Sequence, residues 1–95
     1  MFGWFRNLFG TVVEGRSPQW PKLRAEHLKC EDTCQWCGGI DDLEVHHVVP
    51  VHKVPSMELD HDNLLTLCHH YHLVIGHFGN WSSWNVNVRN DCRTW

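Results

Sequence analysis

The strongest constraint on the fold of this chain is a set of three cysteines: Cys34 and Cys37 form a C-x-x-C pair, and Cys68 follows a short apolar run. With 95 residues, the chain is expected to form one domain. The core of such a small domain contributes only about 3–5 kcal/mol, so an additional cross-link is usually needed. Five cysteines is an odd number, which argues against a closed set of disulfides. The start of the chain also lacks the features of a signal peptide. We therefore expect a cytoplasmic protein whose reduced thiolates bind a structural zinc ion.

Several residues are candidates for the fourth ligand of this zinc ion. Tetrahedral zinc requires four ligands, and the position three residues after Cys68 is Tyr71, which is not a usual zinc ligand. We favour His70 as the fourth ligand, and His69 and Cys30 are the other candidates. Two alternatives stay open. Cys68 could simply be a buried residue, or the C-x-x-C pair could be redox-active, although the missing βαβ pattern disfavours a redox pair.

An ordered set of histidines is the second informative feature. The relevant segments are Leu43–Pro50 (LEVHHVVP), Asp62–Cys68 (DNLLTLC) and His72–His77 (HLVIGH). Adjacent residues in a strand point to opposite faces, so His46 and His47 cannot both bind one ion in a regular strand. We predict that one imidazole binds a divalent metal and its neighbour activates water, since an unperturbed pKa of about 6.5 suits a base near neutral pH. This arrangement is what metal-assisted phosphodiester cleavage requires.

The spacing of His72 and His77 constrains the local backbone. In an α-helix, residues five apart differ by about 140° around the axis, so both can reach one metal only if the helix widens or ends between them. Gly76 is well placed for a π-type bulge or a helix break. The alternative is that His77 is a surface or packing histidine.

Patterning predicts a few further elements. The predicted elements are a helix over Pro21–Lys29, strands over Leu43–Val49 and Leu64–Leu67, a helix over Cys68–Ile75, and a loop-like tail over Asn80–Arg89. In that tail we expect Trp81 and Trp84 to pack onto the domain, with stacking on nucleic-acid bases as the alternative.

Residues 1–14 are apolar and aromatic. They are too short to span a bilayer, and we expect them to pack on the domain or a partner rather than anchor the chain to a membrane surface. With a linker over Gly15–Pro18, this predicts an N-terminal segment over 1–19 and one domain over 20–95. The net charge of −3 argues against binding nucleic acid by charge alone, although a bound divalent metal would offset this locally.

The chain resembles HNH endonucleases, in particular small phage and bacterial members. The resemblance covers Pro21 to Trp84 and rests on Leu23–Leu28 ahead of the cysteine pair, Leu43–His47, Asp62–Cys68 and His72–Trp81. It implies a small α+β fold, the ββα-metal (His-Me finger) motif, stapled by a structural zinc site and preceded by a helix. Tyr71 departs from the family pattern, which has a fourth structural cysteine there.

The resemblance also implies a role for each site residue. His47 resembles the general base, and Asn63 resembles the residue that constrains the hairpin loop and helps to orient that base. The metal ligands implied are His46, His72 and His77. One divalent ion (Mg²⁺, Mn²⁺, Ni²⁺ or Zn²⁺) would occupy this site, and DNA would be the substrate. Arg24 could contact DNA or be simply solvated. The phage-type resemblance suggests a role beside DNA-packaging proteins, in a host cytoplasm. The competing hypothesis is a non-catalytic zinc module that binds protein or nucleic acid.

Overall fold

The structure, a computed structural model, describes residues 4–6, 12–14 and 17–94. Two short strands, β1 (Trp4–Arg6) and β2 (Val12–Glu14), pair antiparallel. The prediction that residues 1–14 pack on the domain or a partner concerns side chains that lie outside the described part of the chain. Gly15 and Arg16 of the predicted linker also lie outside it. In the described part of the chain, no helix has the length and apolar character needed to cross a membrane.

Helix α1 (Trp20–Cys30) begins one residue before the predicted start and ends one residue after the predicted end. Proline is tolerated in the first turn because the first N–H groups of a helix have no intrahelical partner. The C-terminal end of α1 is fastened to the sheet through Glu31. Its carboxylate accepts a hydrogen bond from the Thr66 N–H (2.6 Å), and its backbone carbonyl accepts one from the Thr66 hydroxyl (2.7 Å). These bonds fix α1 against one face of the sheet.

The central element is an antiparallel hairpin of β3 (Leu43–His47) and β4 (Leu64–Cys68). The register places His46 opposite Leu65 and His47 opposite Leu64. Strand β3 ends two residues before the predicted end at Val49. At Val49 the backbone N–H and carbonyl group are bonded by the Asn63 side chain instead of by a strand partner. Residues 48–63 join the strands through 3-10 turns at Pro55–Met57 and His61–Asn63.

Both faces of the hairpin are buried, each in its own apolar cluster. On the α1 side the buried residues are Trp20, Val45 and Leu64. On the opposite side they are Cys34, Leu65, Leu67 and Val88. Successive strand residues alternate between the two clusters, as strand geometry requires. His46 and His47 therefore leave β3 on opposite faces.

The segment after β4 is helical but not uniformly α-helical. One turn of α-helix, α2 (His69–Tyr71), continues directly into a π-helical turn over His72–Gly76. The tail was predicted to be loop-like as far as Arg89, and this is wrong at its end, because helix α3 spans Val88–Thr94. Val88 is fully buried, and the Arg89 guanidinium donates to the backbone carbonyl oxygens of Asp62 (2.9 Å) and Leu64 (2.7 Å). These long-range contacts hold α3 against the hairpin.

Candidate active site

Three imidazoles converge where β3 meets the π-helical turn. The ring centroids of His46, His72 and His77 are 4.9 Å apart in each of the three pairs. One ring nitrogen from each lies within 4.8 Å of the others. The structure thus brings together the three histidines that were expected to bind the catalytic metal.

The π-helical turn explains how two residues five apart reach one point. A π-helix is wider than an α-helix and bonds residues i and i+5, so it can bring His72 and His77 to the same side. Gly76 leaves room for the rings: a Cβ atom there would lie 3.3 Å from His46 Cε1 and 3.4 Å from His72 Cδ2. Of the two alternatives considered for Gly76, a π-type bulge and a helix break, the structure has the π-helical turn.

Hydrogen bonds fix the proton positions on two of the rings. His72 Nδ1 lies 2.8 Å from a Glu44 carboxylate oxygen, and His77 Nδ1 lies 2.6 Å from the Ser83 carbonyl oxygen. Both oxygens can only accept, so each Nδ1 must donate. In the neutral rings the lone pairs are then on Nε2, and these two Nε2 atoms face each other at 3.2 Å. Two lone pairs at this distance repel unless a cation lies between them. The donor set therefore fits a divalent metal ion.

The third imidazole also suits a metal. His46 is buried, and its Nε2 has no hydrogen-bond partner among the described residues. Burial, together with the charges of His72, His77 and His47, lowers the pKa of His46 to about 3. Burial likewise lowers the pKa of His72, although hydrogen bonding to Glu44 opposes this shift. These two rings are neutral near pH 7, and neutral imidazole is the form that binds metals.

His47 leaves β3 on the opposite face and is held by different contacts. Its ring packs on the Trp20 ring, with centroids 4.5 Å apart. Its Nε2 donates to the backbone carbonyl oxygen of Glu58 (2.9 Å), which places the lone pair of the neutral ring on Nδ1. The Glu58 carboxylate accepts a hydrogen bond from the Ser17 N–H (2.7 Å). Ser17, which belongs to the predicted N-terminal segment, is itself buried.

Asn63 is buried and its amide bonds the loop that follows β3. Its Oδ1 accepts from the Val49 N–H (2.8 Å), and its Nδ2 donates to the carbonyl oxygens of Val49 (3.0 Å) and Met57 (3.3 Å). Glu58, which orients His47, directly follows Met57. The amide thus fixes the position of this part of the loop relative to β4.

One cleft of about 410 Å³ is lined by all four of the histidines predicted to take part in catalysis or metal binding. His47 lines it together with the three converging imidazoles. The remaining lining residues are Val45, Pro50, Val51, His52, Trp81, Ser82, Ser83 and Trp84. Arg24 does not line this cleft, because it lies beside Asp42, Glu44 and His69 in a separate cavity.

The cysteines form a second cluster in which the sulfur atoms of Cys34, Cys37 and Cys68 lie within 4.8 Å of one another. A tight turn with Gly38 at φ +76° follows Cys37. Burial raises the pKa of Cys34, but hydrogen bonds from backbone groups outweigh it, so the net pKa is lowered. Burial raises the pKa of Cys68. Three convergent thiols suit a soft-ligand metal such as zinc.

The structure does not bring His70 to these thiols. The ligand group found among the described residues contains the three cysteines alone. Successive helical residues are rotated by about 100°. Tyr71 packs on the cluster that contains Cys34, so His70 is turned outward and is exposed. The two other candidates, His69 and Cys30, are exposed as well.

Sequence reasoning missed Glu44, which accepts hydrogen bonds from His72 (2.8 Å) and His69 (2.9 Å). Strand alternation provides a signal for it, since Glu44 lies two residues before His46 and thus on the same face of β3. It also missed the Ser83 and Glu58 carbonyl oxygens. Backbone acceptors have no side-chain signature, so the sequence could not indicate them.

A hairpin followed by a helical turn, with histidines from both around one point, defines the ββα-metal class. The family model for HNH endonuclease matches residues 29–77, which is more than half of the chain's 95 residues. The chain therefore belongs to the HNH endonuclease family. It matches neither a curated protein nor a solved structure.

Proposed function

We propose that the protein is a metal-dependent DNA endonuclease that hydrolyses phosphodiester bonds in the cleft at the β3–π-turn junction. The observation that supports this most strongly is the pair of Nε2 atoms of His72 and His77, which face each other at 3.2 Å. Both Nδ1 atoms are already bonded to acceptors, and the buried Nε2 of His46 has no partner among the described residues. A cation is what such a donor set would bind.

The proposed metal ligands are His46, His72 and His77. Three protein ligands leave a coordination position open for water or a phosphate oxygen, as in catalytic zinc sites. Imidazole suits zinc and nickel better than magnesium, which prefers oxygen ligands, so we expect the greatest activity with a transition metal. A divalent ion in this site would supply positive charge that stabilises the negative charge developing on the phosphate and on the departing 3′ oxygen.

His47 is the proposed general base. Its Nδ1 takes a proton from water, the resulting hydroxide attacks phosphorus, and the bond from phosphorus to the 3′ oxygen breaks, after which the 3′ oxygen takes up a proton from solvent. The hydrogen bond from Nε2 to the Glu58 carbonyl oxygen holds the correct tautomer and also stabilises the imidazolium formed on proton uptake. Asn63 positions this loop through its bonds to Val49 and Met57.

The three thiols are proposed to hold a structural zinc ion that is separate from the catalytic metal. The test is metal analysis after mild chelation, in which one retained zinc per chain is expected. Zinc loss together with the exchangeable ion would contradict a separate structural centre. DNA contact at Arg24, a cytoplasmic location and a role beside DNA-packaging proteins stay predictions.

The function is tested by cleavage of supercoiled plasmid with Zn²⁺, Ni²⁺, Mn²⁺ or Mg²⁺ added to chelated protein. We expect His47→Ala to lower the cleavage rate about 100-fold or more, since general-base catalysis contributes roughly 10²–10⁴-fold. His61→Ala is the matched control, because His61 is exposed and lies outside the cleft. Equal cleavage by His47→Ala and the parent would refute the assignment of the base. No cleavage with any metal, with zinc retained, would favour a non-catalytic zinc module.

A further inference from the structure

Two tryptophans line the same cleft as the histidines. Trp81 and Trp84 follow the π-helical turn, and both contribute to the cleft wall. Trp81 retains 51% of its surface exposed. Burial of indole surface is strongly favourable, so an indole left half open beside a reactive site is available for a ligand.

Contacts hold Trp81 against two of the histidines proposed to bind the metal, whereas Trp84 is held by His52 and Lys53. The Trp81 ring lies 5.1 Å from His72 in an edge-on arrangement and 4.9 Å from His77 in a tilted one. The Trp84 ring contacts His52 edge-on at 5.6 Å, and the Lys53 ammonium lies 5.3 Å above its centroid. The first tryptophan is thus held next to the proposed metal, and the second next to a cation that can pair with a phosphate.

The charge of the chain disfavours a long duplex as ligand. Lys and Arg total 8 against 11 Asp and Glu, for a net charge of −3. Duplex binding depends mainly on many lysine and arginine contacts to phosphates. Binding of single strands can depend instead on aromatic stacking, which adds affinity for each base without further positive charge.

From these observations we propose that Trp81 and Trp84 form a stacking platform for unpaired nucleotides beside the scissile phosphate. This inference rests on the proposed endonuclease function and specifies its substrate as single-stranded or locally unpaired DNA. In a duplex, neighbouring bases cover both faces of each base. An indole at the cleft wall can therefore stack only on a base that has left the helix.

The decisive measurement is binding, so that cleavage does not interfere. The His47→Ala chain loaded with Zn²⁺ would be titrated against labelled oligothymidine, an abasic strand of the same length, and a duplex. We expect the oligothymidine to bind more tightly than either of the others. Adding Trp81→Ala should weaken oligothymidine binding about 5- to 150-fold, the range for loss of one base–aromatic stack, while binding of the abasic strand changes little.

Two controls separate stacking from a structural effect. Phe78→Ala removes an aromatic ring that is 64% exposed and lies outside the cleft, so it should leave oligothymidine binding unchanged. Trp81→Phe retains a stacking surface and should recover most of the affinity. Zinc affinity of each variant, measured by chelator competition, would reveal damage to the neighbouring histidines.

Two results would overturn the proposal: a Trp81→Ala loss that is equal on the base-bearing and abasic strands, or duplex binding at least as tight as oligothymidine binding. Failure of the endonuclease function would look different. The parent chain would then cleave no DNA with any metal, while the preference for base-bearing single strands and its dependence on Trp81 would persist.

Discussion

Replacing Glu44 by alanine should weaken metal binding at the three-histidine site without unfolding the domain. The Glu44 carboxylate holds the Nδ1–H of His72 at 2.8 Å and that of His69 at 2.9 Å. A carboxylate bonded to Nδ1 fixes the ring orientation and makes the opposite nitrogen a stronger ligand. Without it, His72 can rotate or adopt the other tautomer, in which its Nε2 carries a proton and cannot bind metal.

The size of this effect follows from the exposure of the pair. Loss of such a partner typically costs roughly 10- to 100-fold in metal affinity, or about 1.4–2.8 kcal/mol. The Glu44 side chain is 35% exposed and that of His72 only 16%. Water can therefore replace part of the lost hydrogen bond, so we expect a loss nearer to about 10-fold than to 100-fold. Glu44→Gln should lose less, because its amide oxygen can still accept from His72.

The assay is competition between the protein and a chromophoric chelator for Zn²⁺, with Glu26→Ala as the matched control. Glu26 is an exposed glutamate on α1 that does not line the cleft, so its removal should leave the affinity unchanged. Cleavage by Glu44→Ala should recover substantially at saturating Zn²⁺. If the Zn²⁺ affinity of Glu44→Ala stays within about twofold of the parent's, the proposed role of Glu44 is refuted. A difference of that size is no larger than the deviations commonly seen between independent mutations.

The pH dependence of this interaction has a definite sign. Burial raises the pKa of Glu44, but hydrogen bonds and charge interactions with His72 and His69 outweigh burial and leave it below 4.5. A group whose pKa is lower in the folded state than in the unfolded state stabilises the folded state at pH values above its unfolded-state pKa. This stabilisation is lost as the pH falls through the folded-state pKa. The Glu44 contribution should therefore persist at neutral pH and disappear only below about pH 4.5.

Two further substitutions test the scaffold of the site. Asn63→Ala removes the amide that bonds Val49 and Met57. It should lower the free energy of unfolding, measured by urea denaturation, by about 1–3 kcal/mol. A change below about 0.5 kcal/mol would contradict a role of this amide in holding the loop. Gly76→Ala places a Cβ atom 3.3 Å from His46 Cε1. It should weaken Zn²⁺ binding while the circular dichroism spectrum stays native-like. An unchanged Zn²⁺ affinity would show that the histidine rings can adjust to the added atom.

Local sequence rules predicted much of the fold because they describe interactions between near neighbours. The helix that begins near Pro21, the C-x-x-C pair of Cys34 and Cys37, and the alternation through His46 and His47 each depend on a few consecutive residues. The i, i+5 spacing likewise predicted that the helix widens or ends if His72 and His77 share one metal, and the π-helical turn over His72–Gly76 is such a widening.

The sequence pattern did not indicate α3, because the stabilisation of this helix is not local. Its sequence, VRNDCRT, contains asparagine, aspartate and threonine, which have modest helix propensity. Burial of Val88 in the cluster with Leu65 and Leu67, and the bonds of Arg89 to two hairpin carbonyl oxygens, hold it in place. Both depend on residues more than twenty positions earlier in the chain.

By itself the sequence determined which chemical groups the site can use: imidazoles in a fixed order, an amide and three thiols, because side-chain chemistry is a property of the residues. Only the tertiary structure decided how these groups work together. It places a loop carbonyl where His47 Nε2 donates to it, places Glu44 where it orients His72, and directs His70 away from the thiols. These outcomes depend on directions and distances between separate segments, and packing of the hairpin against its helices sets those.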